Sequence, residues 1–127
     1  MDGQKKHIDW SLAEIMSAGD TLLATQLLGL FVQELPTNRV LFNRYYQQKK
    51  WAELEAQAHK LQGACAYCGV PLLKDCTKRL EKVCTTGSIA GIESALKAFN
   101  DCMDGLLAEA KADPRLQALS ADQDHKG

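Results

Sequence analysis

The 127-residue chain lacks any run of 18 or more apolar residues, so no segment is expected to span a bilayer. Nor does it open with a charged stretch, an apolar core and a small-residue cleavage site, which argues against a secretory signal. An excess of one charge is missing too: the net charge is −1 with 24% charged residues, leaving neither a nucleic-acid footprint nor a polyacidic tail. There is no glycine-rich phosphate loop and no strand-helix-strand pattern to hold a nucleotide. No segment alternates apolar and polar residues as a half-buried strand does. The length suits one domain with a single core. The five cysteines are an odd number, and Cys76, Cys84 and Cys102 fall where helical periodicity asks for apolar residues, as reduced, buried thiols of a cytosolic protein do. Cys65 and Cys68 have C-x-x-C spacing, but a zinc ribbon needs a second close pair and a thioredoxin-like site a preceding strand, and the sequence offers neither. No metal and no cofactor is expected.

What is present is helical periodicity. Asp9 is placed to cap a short helix running through Ala18, with Ile8 stapled against Ala13, and Gly19 to end it. Asp20 caps a second helix with apolar positions Leu23, Leu27, Leu30, Phe31 and Leu35. The spacing resumes after Pro36 at Val40, Leu41 and Tyr45, which predicts one long helix over about 20–48, kinked near the proline. A polar connection leads to a helix over 51–67. Gly69 suits a left-handed cap and Pro71 the first turn of the next helix, so these two helices form a tight antiparallel hairpin. Leu72, Leu73, Cys76, Leu80, Val83 and Cys84 stripe the second of them up to Gly87. Ser88 then caps a final helix in which Ile89, Ile92, Leu96, Phe99, Met103 and Leu106 recur at intervals of three and four to about Ala112. The expected fold is all-α: an antiparallel up-down-up-down four-helix bundle with a short extra N-terminal helix, over residues 9–112. Residues 1–8 are expected to be flexible, with His7 exposed and idle, and 113–127, with His125, to form a flexible tail.

His59 stands out on the hairpin's first helix. At about 100° per residue, Ala52, Glu55, Ala56, Gln62, Gly63 and Ala66 lie within about 60° of it, and Leu54, Leu61, Cys65 and Cys68 lie on the other side. A core histidine would share the leucine face. An exposed, oriented imidazole serves as base, nucleophile or pH switch. A hydrolytic base needs a partner in a pocket, which a solid bundle does not offer, and a metal needs more ligands than Glu55 alone. A nucleophile toward a phosphoryl group carried by another protein needs only access, a fixed tautomer and a flat collar, because the transition state is loose and the partner can bring the metal. Around His59, residues 49–82 carry Lys49, Lys50, Lys60, Lys74, Lys78, Arg79 and Lys82 against Glu53, Glu55, Asp75 and Glu81. That basic excess fits a solvated helix face or a surface for an anionic ligand or acidic partner.

The run His59-Lys60-Leu61-Gln62-Gly63-Ala64-Cys65, followed by Gly69-Val70-Pro71-Leu72, by Cys76 and by Leu80-Glu81, resembles the signature of histidine-containing phosphotransfer (HPt) domains. It is most like those at the C-terminus of tripartite hybrid sensor kinases of the BarA/GacS type, over roughly residues 9–110. The resemblance implies a phosphorelay intermediate. His59 would accept a phosphoryl group on Nε2 from an aspartyl phosphate of a receiver domain and pass it to a response-regulator aspartate, with no autonomous kinase or ATPase activity. It implies that Glu81 orients His59 through Nδ1 and that Gly63 leaves space beside it. Gln62 stands where the family carries Lys or Arg, so Lys60, Lys78 and Lys82 are left to supply positive charge.

The docking surface is expected to have an apolar centre at Ala52, Ala56, Gly63 and Ala66, ringed by Lys49, Lys60, Lys78 and Lys82. The implied partners are receiver domains, without nucleic acid or direct membrane contact. The implied state is a cytoplasmic monomer, either free or as the C-terminal domain of a membrane-anchored sensor kinase. Two other readings are a structural helical adaptor with His59 incidental, and the dimerisation and histidine-phosphorylation hairpin of a sensor kinase. The hairpin would carry an acidic residue directly after the histidine, where this chain has Lys60.

Overall fold

Most of the helices begin on a side chain that caps a free backbone N–H. The computed structural model describes residues 5–119, and its helices are α1 (Trp10–Met16), α2 (Thr21–Gln47), α3 (Trp51–Cys68), α4 (Pro71–Thr86) and α5 (Ile89–Ala112). Residues 114–119 add a further short helix, and no described residue lies in a strand. Asp9 Oδ1 accepts from Leu12 N at 3.1 Å, Asp20 Oδ1 from Leu23 N at 3.0 Å and Ser88 Oγ from Gly91 N at 3.1 Å. Such a cap contributes about 1 kcal/mol. Helix α4 instead starts on Pro71, whose missing N–H is no loss in a first turn.

The four long helices form the bundle. Helix α3 packs on α4, α4 on α5, and α2 on both α3 and α5, while α1 lies across α2 and α3. Leu28, Leu35 and Phe42 of α2 meet Leu54 of α3, Leu73 and Leu80 of α4, and Ile92, Phe99, Met103 and Leu106 of α5 in a core from which water is excluded. The Phe42 and Phe99 rings stack with centroids 4.8 Å apart. Burying each of these side chains contributes about 1.5–3 kcal/mol.

The turn between α3 and α4 fixes the hairpin on which His59 stands. Gly69 adopts φ +71°, and a Cβ there would come within 2.8 Å of Ala13 N and 2.7 Å of the Asp9 carbonyl. Only glycine satisfies both the left-handed turn and this close approach. The contact is also bonded, since Asp9 N donates to the Gly69 carbonyl at 2.8 Å.

Several expectations are corrected. Helix α1 ends at Met16 and not at Ala18, because Ala18 (φ 55°) and Gly19 (φ 81°) turn the chain in consecutive left-handed conformations. Leu23, Leu30 and Val40 of α2 are exposed, and Leu28 and Phe42 take the core positions. Helix α2 is apolar around much of its circumference near 22–31, so its neighbours decide which arc is covered. The segment expected to be flexible at the start is docked from residue 5: Leu72 N donates to the Lys6 carbonyl at 3.4 Å and Ile8 N to Glu109 Oε2 at 3.1 Å. His7 is half-buried, not idle at the surface. Its ring lies against Gly105 of α5, where a Cβ would collide with the imidazole, and its Nδ1 is 4.0 Å from Cys102 Sγ.

The expected tail also packs over its first part. Trp10 Nε1 donates to Asp113 Oδ2 at 2.9 Å, Arg115 pairs with Glu14 at 3.0 Å and lies 4.5 Å over the Trp10 ring, and Leu116 is buried. Residues 1–4 and 120–127, with His125, lie outside the described residues.

Candidate functional site

Because α3 and α4 run antiparallel from the Gly69 turn, His59 faces a residue 22 positions away: its Nδ1 is 2.7 Å from Glu81 Oε2. The His59 side chain is 76% exposed and that of Glu81 25%. The largely covered carboxylate thus holds one ring nitrogen while the rest of the ring stands in solvent. A neutral imidazole with Nδ1–H donating to that carboxylate presents the lone pair of Nε2 outward.

A shallow depression around the ring is lined by His59 and Gln62 from α3 and by Lys78, Glu81, Lys82 and Thr85 from α4. Lys78 and Lys82 lie three residues before and one after Glu81, both exposed. Gln62 is half-buried at its edge. Ala52, Ala56 and Gly63 are exposed along the same side of α3 and Ala66 is half-covered. A Cβ added at Gly63 would meet nothing within 4 Å. Of the three lysines expected to supply positive charge, Lys78 and Lys82 line this depression and Lys60 does not; Ala52, Ala56, Gly63 and Ala66 also lie outside it. One residue beyond His59 turns Lys60 by about 100°, and it lines a groove between α2 and α3 with Leu30, Phe31, Glu34 and Gln57.

Thr85 escaped the sequence reasoning. Its Oγ1 donates to Glu55 Oε2 at 2.5 Å and lies 3.2 Å from the Glu81 carbonyl. The signal was available, since residues four apart share a helix face and Thr85 follows Glu81 by four, but it depends on knowing that α4 faces α3 there.

The C-x-x-C cysteines point inward. Burial pushes the Cys65 thiol up to about 12 and the Cys68 thiol to about 11, so both are neutral thiols of the core. The Cys76 and Cys102 thiols, on α4 and α5, interact, which eases the loss of the first proton from the pair and hinders the second. No group of three or more His, Cys, Asp or Glu side chains gathers in a metal-holding arrangement among the described residues.

The family model described as Hpt domain matches residues 26–109, which include both His59 and Glu81. Signal transduction histidine-protein kinase BarA of Shigella flexneri and that of Escherichia coli K12 are each 32% identical over 104 residues, covering 81% of this chain. The chain spans only 11% of the length of these relatives. The crystal structure of the HPT domain from an Hpt sensor hybrid histidine kinase of Shewanella superposes with a TM-score of 0.66 at 19% identity, over 85% of this chain and 97% of that one, a likeness of fold. A helical bundle of that shape, a family match over most of its length and an identity of 32% to two curated relatives agree on one assignment: the chain belongs to the Hpt domain family, whose members carry out histidine phosphotransfer in two-component signalling and interact there with receiver domains.

Proposed function

We propose that His59 accepts a phosphoryl group from the aspartyl phosphate of a receiver domain and returns it to the aspartate of a response regulator. The observation that carries this reading is the exposed imidazole whose Nδ1 is held 2.7 Å from Glu81. The Nε2 lone pair attacks phosphorus, the N–P bond forms, and the bond to the aspartyl oxygen breaks with its electron pair left on the carboxylate. The ring keeps its Nδ1 proton and so gains positive charge, which the Glu81 carboxylate compensates through a charge-assisted hydrogen bond. The same contact preserves the ring as a leaving group for the onward step.

The receiver docks over α3 and α4. Ala52, Ala56, Gly63 and Ala66 offer it a flat approach, and Lys78 and Lys82 beside the ring complement the acidic surroundings of its aspartate. Lys60, turned into the α2–α3 groove, contributes from the edge of this surface. The metal requirement of transfer belongs to the receiver, and this chain alone neither hydrolyses ATP nor phosphorylates itself. No single described helix is long and apolar enough to cross a membrane. The domain works as a cytoplasmic monomer, free or within a membrane-anchored sensor kinase. A dimerisation hairpin would leave an apolar helix face for its partner, whereas the apolar faces of α3 and α4 are covered by α2 and α5 of the same chain.

The test is to mix the protein with a receiver domain phosphorylated on its aspartate. Acid-labile, base-stable phosphate should appear on this chain and be absent from His59→Gln, which should fold normally because an exposed substitution usually changes stability by less than about 0.5 kcal/mol. Phosphate that persists on His59→Gln, or none on the wild type, refutes the assignment.

A further inference from the structure

One turn N-terminal to His59 on α3 stands a second carboxylate, Glu55, and one turn C-terminal to Glu81 on α4 stands Thr85. The antiparallel hairpin therefore makes two rungs. In one, His59 Nδ1 meets Glu81 Oε2 at 2.7 Å; in the other, Thr85 Oγ1 donates to Glu55 Oε2. A hydroxyl has one proton to give, and the charged carboxylate is a better acceptor than the Glu81 carbonyl 3.2 Å away. Side chains four apart on a helix are about 5–6 Å apart at Cβ, so an untethered Glu55 has His59 within reach.

Resting on the reading of His59 as the phosphoryl acceptor, we propose that Thr85 is a positioning residue: it ties the Glu55 carboxylate to α4 and so keeps it off the His59 ring. Two carboxylates competing for one imidazole would divide its tautomers. Glu81 at Nδ1 leaves the Nε2 lone pair free to attack, whereas Glu55 accepting from Nε2–H places a proton on the atom that must form the N–P bond. A loose Glu55 also sets a negative charge beside a phosphoryl group that itself carries roughly two. The tether removes both effects with a single neutral hydroxyl.

Three variants and two readouts test this. Thr85→Val keeps the side-chain volume and deletes the donor. It should slow phosphate acceptance from a phosphorylated receiver by about three- to fivefold, the upper part of the range of exposed charge interactions, while Thr85→Ser stays near the wild-type rate. Adding Glu55→Gln to Thr85→Val removes the freed charge and should restore the rate to within about twofold. The second readout needs no receiver: in the resting protein, ¹⁵N shifts of the His59 ring should report more Nε2–H in Thr85→Val than in the wild type, and a return to the wild-type pattern in the double variant. The proposal is overturned if Thr85→Val leaves the ring shifts unchanged, or if the double variant is slower than Thr85→Val alone, since Glu55–Thr85 would then serve only to join the helices. If no variant accepts phosphate but the ring shifts change as stated, the phosphotransfer reading fails and the tether stands.

Discussion

Substituting Gly63 separates stability from function, because the same residue is a defect for the helix and an advantage for a docking partner. Gly63 lies inside α3, is exposed, and would meet nothing within 4 Å if given a Cβ. Gly63→Ala therefore gains the helix-propensity difference of about 1 kcal/mol with no packing cost. For a domain of this size that raises the melting temperature by about 3–5 °C. The added methyl stands one turn from His59, on the side a receiver must approach. In-line transfer requires reacting atoms about 3–3.5 Å apart, and misplacing them by about 1 Å costs on the order of a hundredfold. Gly63→Ala should thus slow phosphate acceptance several-fold, and Gly63→Gln, with a side chain long enough to cover the ring, by about a hundredfold. Thermal melts followed by circular dichroism and rapid-quench transfer from a phosphorylated receiver measure the two effects on the same samples. Gly63→Gln transferring at the wild-type rate would refute the assignment of this face to the partner. A lower melting temperature for Gly63→Ala would refute the premise that the position is open.

On adding a receiver, amide shift changes should concentrate on α3 and α4 around His59; a pattern centred on α5 is incompatible with the proposed surface. Gly105→Ala should expel His7 from its place, since a Cβ there would lie 2.7 Å from the ring Cε1. Amides of residues 5–9 should then exchange faster with solvent, and unchanged exchange would show that the ring does not depend on the glycine. The buried thiols set a pH limit. Cys65 is pushed up to about 12, and Cys68 and Cys84 to about 11, chiefly by burial, whereas in the unfolded chain thiols ionise near about 8.5. Their contribution is complete below that value. It is lost as pH rises toward the folded values, because the unfolded state then binds fewer protons, with a slope of up to about 1.4 kcal/mol per pH unit for each thiol. Urea denaturation between pH 8 and 11 should show the decline, and a flat profile would place these thiols in water.

The sequence by itself determined the helices, because caps, glycine stops and apolar periodicity act within a few residues of chain. The starts of α1, α2 and α5 rest on their own capping side chains, and the ends of α3 and α4 on glycines whose left-handed conformation costs them nothing. His59 was also legible as an exposed side chain, since a helical wheel separates it from Leu54 and Leu61 without reference to any neighbour. The tertiary structure decided whatever depends on a second element. Which arc of α2 is buried, Leu28 and Phe42 in place of Leu23 and Leu30, was set by where α3 and α5 lie against a helix apolar on more than one side. His7 found its place because Gly105 opens a gap in α5 that local pattern does not distinguish from any other glycine. Lys60 left the histidine's neighbourhood although it is adjacent in sequence, and Thr85 entered it from 26 residues away. A helix turns adjacent residues by about 100°, and only the facing helix brings distant ones together.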